Sequence, residues 1–229
     1  MKGDISPLKA QYPWPSASPG IRFDHHGWFG WCHCLMLRTV LPKDTKLVLE
    51  LGSWLGRSTR YFLNACPRAD VIAVDHWGRS ELIANDDPTC EGKMHNLYDR
   101  FLSNCWGFKS RLVPIRATTV AGMQTVKAHG LVPDVIYIDA NHTYEDMRQD
   151  INMAFSLFPE ARLCGDDYGG KWTGLKQAVD EFCRGNSCKL LNVEHAWAIF
   201  KADEKVPEVS LASLAKAMHK ANINPQKGR

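Results

Sequence analysis

Apolar residues recur along this chain in two rhythms. Short continuous runs at Val48-Leu49-Glu50-Leu51, Val71-Ile72-Ala73-Val74 and Val135-Ile136-Tyr137-Ile138 suit strands buried on both faces. Other segments repeat at helical spacing. Met147, Ile151, Ala154, Phe155 and Phe158 line one face of residues 144–158, and Leu175, Ala178, Val179, Phe182 and Cys183 repeat the pattern. The alternation of β and α over residues 46–185 predicts an α/β fold with a parallel sheet and right-handed crossovers. Lys189 to Val193 and Trp197 to Lys201 are closely spaced strand candidates that supply an antiparallel pair at its end.

The flanks are less regular. Residues 1–27 are rich in Pro, Gly and Ser around Trp14, end in His25-His26, and read as an irregular arm. Trp28 to Leu41 predicts a helix leading into the first strand. The segment 78–109 is longer than a plain connection and holds a helix around Leu97 to Trp106; with the arm it is placed to cover an acceptor pocket. Trp14, Trp28, Trp31, Trp77 and Trp172 serve either as core or as stacking surfaces for a ring. Residues 207–229 read as a polar linker, an Ala-rich amphipathic helix (Leu211, Leu214, Met218) and a basic tail. The chain thus divides into an arm and helix (1–44), one α/β domain (45–204) and a C-terminal helix and tail (205–229). At 229 residues and 45% hydrophobic content it buries one sizeable core.

The first strand runs into Glu50-x-Gly52-x-x-x-Gly56 and then a helix. Glycines at such a bend let the backbone approach a ligand, and the helix N-terminus points free N–H groups at the same place. A dinucleotide fold wants Gly-x-Gly-x-x-Gly, but the second position here is Trp54, whose indole obstructs a diphosphate. No Gly-x-x-x-x-Gly-Lys-[Ser/Thr] phosphate loop occurs either. S-adenosylmethionine, which carries no phosphate, suits the turn, with Glu50 near its amino-acid end. Asp75 closes the next strand about 20 positions on, where an acid accepts hydrogen bonds from ribose hydroxyls.

Two further strands discharge acids: Asp139 after Val135–Ile138, and Asp166-Asp167 after 161–165. Carboxylates at neighbouring strand ends repel one another in a dehydrated cleft, and a hard divalent cation with oxygen ligands relieves them. Thr143-x-x-Asp146 marks a helix start, which puts His142 just before it on the ligand side of the sheet.

The glycine turn and Asp75 together resemble the first two motifs of class I S-adenosylmethionine-dependent methyltransferases. Asp139, His142, Tyr144 and Gly165-Asp166-Asp167-Tyr168 resemble metal-dependent small-molecule O-methyltransferases, nearest the macrocin and mycinamicin enzymes and more distantly catechol O-methyltransferase. The resemblance covers roughly residues 45–185. It implies a Rossmann-like, seven-stranded, mostly parallel sheet flanked by helices in a single domain. It also implies a donor site of Glu50, Gly52, Ser53, Gly56, Ser58, Asp75, His76, Ala117 and Asp139, and Mg²⁺ held by Asp139, Asp166 and Asp167. His142 would be the general base acting on a small-molecule hydroxyl, and a homo-oligomer is compatible with it. Two positions depart from the family pattern: Asp-Gly-x-His reads Asp139-Ala140-Asn141-His142, and the acidic pair is Asp-Asp.

Composition narrows the classes. A net charge of +3 with no concentrated basic stripe makes no case for nucleic acid. No window nears the roughly 20 apolar residues that span a bilayer, and Met1-Lys2-Gly3-Asp4 lacks an apolar signal region. The eight cysteines are scattered through core elements, which predicts free thiols and a cytoplasmic location. Cys32-His33-Cys34 and Cys183-x-x-x-x-Cys188 lack paired zinc spacing. Two other readings keep the fold: a metal-assisted hydroxylase or hydrolase, which would not bind the donor, and a non-catalytic S-adenosylmethionine-binding protein, which has no need of the acid–His set.

Overall fold

Seven apolar runs assemble into one sheet in the computed structural model, which describes residues 3–80, 84–85 and 87–209. The strands are β1 (Leu47–Leu51), β2 (Asp70–Asp75), β3 (Leu112–Arg116), β4 (Val135–Ile138), β5 (Arg162–Gly165), β6 (Lys189–Val193) and β7 (Ala196–Phe200). Their order is β3-β2-β1-β4-β5-β7-β6. The first five pair in parallel, while β7 runs antiparallel to both β5 and β6. The order reverses at β1–β4, the switch point at which open α/β sheets bind ligands beyond their strand ends.

Alternation along β1 serves two cores. Leu47, Leu49 and Leu51 face one apolar cluster with Ile136, Met147, Ile151 and Leu175, whereas Val48 joins Phe62, Met36 and Tyr137 on the other face. Every residue of β1 is buried, which explains why the run is apolar without alternation. The flanking helices are α1 (Ser6–Gln11), α2 (Trp31–Val40), α3 (Arg57–Ala65), α4 (Leu97–Cys105), α5 (Thr119–Ala128), α6 (Tyr144–Leu157) and α7 (Thr173–Gly185). Thr143 caps α6 as the sequence predicts: its Oγ1 accepts the Asp146 N–H at 3.1 Å and donates to the Asp146 carboxylate at 2.8 Å.

The arm differs from the expected irregular strand of chain. It contains α1, and its Leu8 is fully buried against the sheet, a tether contributing about 1.5–3 kcal/mol. The next helix starts at Trp31, three residues later than the periodicity predicts, because Gly30 is its N-cap and donates its N–H to His33 Nδ1 at 2.8 Å. Trp28 and Phe29 are thereby left in the arm. β3 carries Pro114, which an edge strand tolerates because one side needs no ladder. The C-terminal helix expected around Leu211, Leu214 and Met218 lies outside the described residues. Among the described residues, no helix is long and apolar enough to cross a membrane.

Candidate functional site

The carboxyl ends of β1, β2, β4 and β5 open onto one cavity of about 900 Å³. Its floor is the glycine turn. Gly52 has φ +87°, and a Cβ there would stand 1.9 Å from the Asp139 carbonyl oxygen, so β1 and β4 approach as closely as their backbones allow. Asp75 pins the turn from β2: its Oδ2 accepts the N–H groups of Ser53 (3.0 Å) and Trp54 (2.9 Å), and its Oδ1 accepts that of Trp77 (2.7 Å). Trp54 itself adopts φ +45°, a strained conformation for a bulky residue that these bonds hold in place.

Gly52, Ser53, Ser58, Asp75, His76, Ala117 and Asp139 line the cavity. Glu50 and Gly56 do not. Gly56 is buried, and a Cβ on it would meet Cys105 Sγ at 2.4 Å. Glu50 is wholly buried beneath the turn, where its Oε2 accepts the Ser53 hydroxyl at 2.7 Å and the Thr59 hydroxyl. Burial pushes its carboxyl up to about 7, against the pull of the Ser58, Thr59 and Ser53 hydroxyls. Its position makes Glu50 a brace for the turn rather than part of the cavity wall.

The acids divide into two groups. Asp139, His142 and Asp167 converge: His142 Nε2 lies 2.8 Å from Asp167 Oδ2 and 3.8 Å from Asp139 Oδ1, without the alignment of a hydrogen bond to either. Asp166 also lines the cavity but turns its carboxylate to His33. Asp167 has φ +62°, and this left-handed residue sends the two adjacent carboxylates apart. Asp166 is 2% exposed, with Oδ1 accepting the Asp167 N–H at 2.7 Å and Oδ2 lying 2.7 Å from His33 Nε2. The three acids expected at one point are therefore two acids and a histidine, with the third carboxylate behind them.

Electrostatics follow this crowding. Burial, with Asp166 and Asp167 nearby, pushes the Asp139 carboxyl up, and burial with the adjacent Asp167 charge does the same to Asp166. Burial favours neutral His142, but the close carboxylates of Asp139 and Asp167 outweigh it and raise the imidazole to about 10. A histidine so clamped is a held proton rather than a ready base. Two carboxylates converging on an imidazole nitrogen that has no aligned hydrogen bond fit a divalent cation held by their oxygens. The His142 ring also rests on Trp172, with centroids 4.4 Å apart.

The remaining wall comes from places where pattern reading is weak. Gly27, Trp28 and Phe29 of the arm line the cavity, and Trp28 is 48% exposed. The arm is fastened there by Arg57, which donates to the Gly27 carbonyl at 2.6 Å, and by Trp54 Nε1, which donates to His26 Nδ1 at 3.1 Å. Glu194 and His195, in the turn between β6 and β7, also reach it. No periodicity marks them; only the antiparallel return of β7 beside β5 brings them there. On the opposite wall, Asp150 accepts the Thr119 hydroxyl at 2.6 Å, and burial pushes its carboxyl up to about 6.

The sequence model of a family described as "Methyltransferase domain" matches residues 49–168. No curated protein matches. Among solved structures, the chain resembles the O-methyltransferase TomG from Streptomyces achromogenes, determined with S-adenosylmethionine, at TM-score 0.52 and 14% identity over 74% of this chain and 77% of that one. It likewise resembles an O-methyltransferase from Bacillus cereus in complex with S-adenosylhomocysteine, at TM-score 0.51 and 13% identity over 85% and 95% of the two chains. The match spans more than half of the 229 residues and takes in the glycine turn, Asp75, Asp139, His142 and the Asp166-Asp167 pair. The chain belongs to the methyltransferase-domain family, and it is a class I S-adenosylmethionine-dependent methyltransferase.

Proposed function

We propose that this methyltransferase is an O-methyltransferase that modifies a hydroxyl of a small molecule, assisted by Mg²⁺. The observation that carries the reading is the convergence of Asp139, His142 and Asp167 across the cavity from the Gly52 turn. In this reading the turn, Ser53, Ser58, His76 and Ala117 hold the donor, and Asp75 keeps the turn in shape. Asp139 and Asp167 hold the cation. Bound there, Mg²⁺ would act as a Lewis acid that lowers the pKa of an acceptor hydroxyl.

The chain's own groups do the rest. His142 stands between the two acids and is kept in orientation by Trp172. With Asp139 and Asp167 committed to a cation, their charge would no longer hold the proton on His142, and the imidazole would be free to accept the acceptor's proton. In this reading Trp28 and the rest of the arm cover part of the cavity. Holding donor and acceptor close and in line is the other contribution of the site. O-methyltransferases among the similar structures support this direction. The test is methyl transfer to a panel of vicinal diols and catechols, with the protein stripped by EDTA and then resupplied with Mg²⁺. Activity that requires resupply is expected. Undiminished turnover after stripping would remove the metal from the reading.

A further inference from the structure

Behind the acids, a second group of side chains has no part in the proposed reaction. We propose that Cys32, His33 and His195 form a binding site for a thiophilic divalent cation of the zinc type, separate from the Asp139–Asp167 pair. The three come from distant places in the fold. Cys32 and His33 lie in the first turn of α2, and His195 lies in the turn between β6 and β7, where the left-handed Glu194 (φ +57°) turns the chain. The His195 carbonyl accepts the Tyr168 N–H at 2.9 Å, which fastens that turn to the loop after β5.

The separations suit one small ion. Cys32 Sγ lies 3.4 Å from His33 Nδ1 and 3.4 Å from His195 Nε2. Zinc bonds of about 2.3 Å to sulfur and about 2.0–2.1 Å to nitrogen, at tetrahedral angles, leave ligand atoms about 3.3–3.6 Å apart. The tautomer is also right. His33 Nδ1 accepts the Gly30 N–H, so the ring proton sits on Nε2 and the Nδ1 lone pair that an ion would take is directed at the Gly30 amide. That Nε2 is buried without an aligned hydrogen bond, 2.7 Å from Asp166 Oδ2. A carboxylate behind a metal-bound histidine is the usual arrangement for raising its basicity and fixing its ring. An ion at Nδ1 displaces the Gly30 amide, and a Cβ on Gly30 would meet nothing within 4 Å.

Donor chemistry separates the two sites. One thiolate and two imidazoles select zinc over magnesium, whereas Asp139 and Asp167 offer carboxylate oxygens to a hard ion. Cys32 and His33 are 2% and 1% exposed, so an ion enters from the cavity beside His195, which lines it. Three protein ligands leave a fourth position for water or an acceptor atom.

The test uses the full chain and does not depend on methyl transfer. Cobalt(II) added to metal-free protein should give a thiolate-to-metal charge-transfer band, which the sulfur-free Asp139–Asp167 pair cannot produce. Zinc analysis should find roughly one equivalent per chain that survives gel filtration. His195→Ala, a change at an accessible position, should abolish both signals while the far-ultraviolet dichroism stays that of the wild type. Asp166→Asn should weaken zinc by roughly 10–100-fold. Asp139→Asn combined with Asp167→Asn should leave the cobalt band in place. Absence of the band in the wild type, or zinc retention that His195→Ala does not change, overturns the site while leaving the methyltransferase reading intact.

Discussion

Glu50 makes the glycine turn sensitive to pH. It is wholly buried, accepts the Ser53 and Thr59 hydroxyls through Oε2, and leaves Oε1 without a hydrogen bond. Burial raises its carboxyl from 4.5 to about 7. A carboxyl raised on folding is penalised in its charged form, so its contribution is most favourable in acid. That contribution declines as pH rises from the unfolded value of 4.5 and levels off above about 7. The shift corresponds to about 3 kcal/mol lost across that window. Glu50→Gln offers the same hydroxyls a carboxamide oxygen but cannot ionise. The variant's stability relative to wild type should therefore improve by about 2–3 kcal/mol between pH 5 and pH 8. At this chain length that is a relative gain of roughly 5–10 °C in Tm. Thermal unfolding of the metal-free protein and the variant at half-unit pH steps measures it directly. A wild-type-minus-variant difference that stays level from pH 5 to pH 8 would show that Glu50 titrates normally, and the buried-brace account of the turn would fall.

Gly52→Ala places a Cβ 1.9 Å from the Asp139 carbonyl oxygen at a left-handed residue. Strain and overpacking together should cost about 2–5 kcal/mol, visible as a lowered Tm and weakened S-adenosylhomocysteine binding by calorimetry. The divergence of the acidic pair predicts unequal variants: Asp167→Asn should raise the Mg²⁺ concentration for half-activation by at least roughly tenfold, and Asp166→Asn by much less. Equal effects would mean that Asp166 shares the ion. Trp28→Ala removes an exposed ring that lines the cavity beside Trp54, so under the proposed role of the arm the acceptor KM should rise by roughly 3–30-fold. An unchanged acceptor KM would take the arm out of the pocket.

What pattern could and could not reveal follows from the range of the forces involved. The parallel strands, the capped start of α6 and the amphipathic faces of α6 and α7 were legible because each is written in consecutive or periodically spaced residues. β4 falls at Val135–Ile138, the expected run. The glycine turn was legible for the same reason, since its glycines answer to local backbone geometry. Side-chain direction was not legible. Adjacent aspartates read as a single ligand pair, yet Asp167 joins Asp139 and His142 while Asp166 turns to His33, and no composition rule reports φ at Asp167. Glu50 reads as a ligand contact because it lies two residues before Gly52, but it is the strand's pleat that decides which way it faces. Cys32-His33-Cys34 fails the zinc test as a spacing, because spacing detects ligands that share a loop. The partner that makes Cys32 and His33 a cluster is His195, on the far side of the chain, and it arrives only because β7 returns antiparallel beside β5. Features set by local backbone are therefore recoverable from one sequence, and features set by the meeting of two distant turns are not. The proposed cation site belongs wholly to the second kind, which is why its test has to read the sulfur itself.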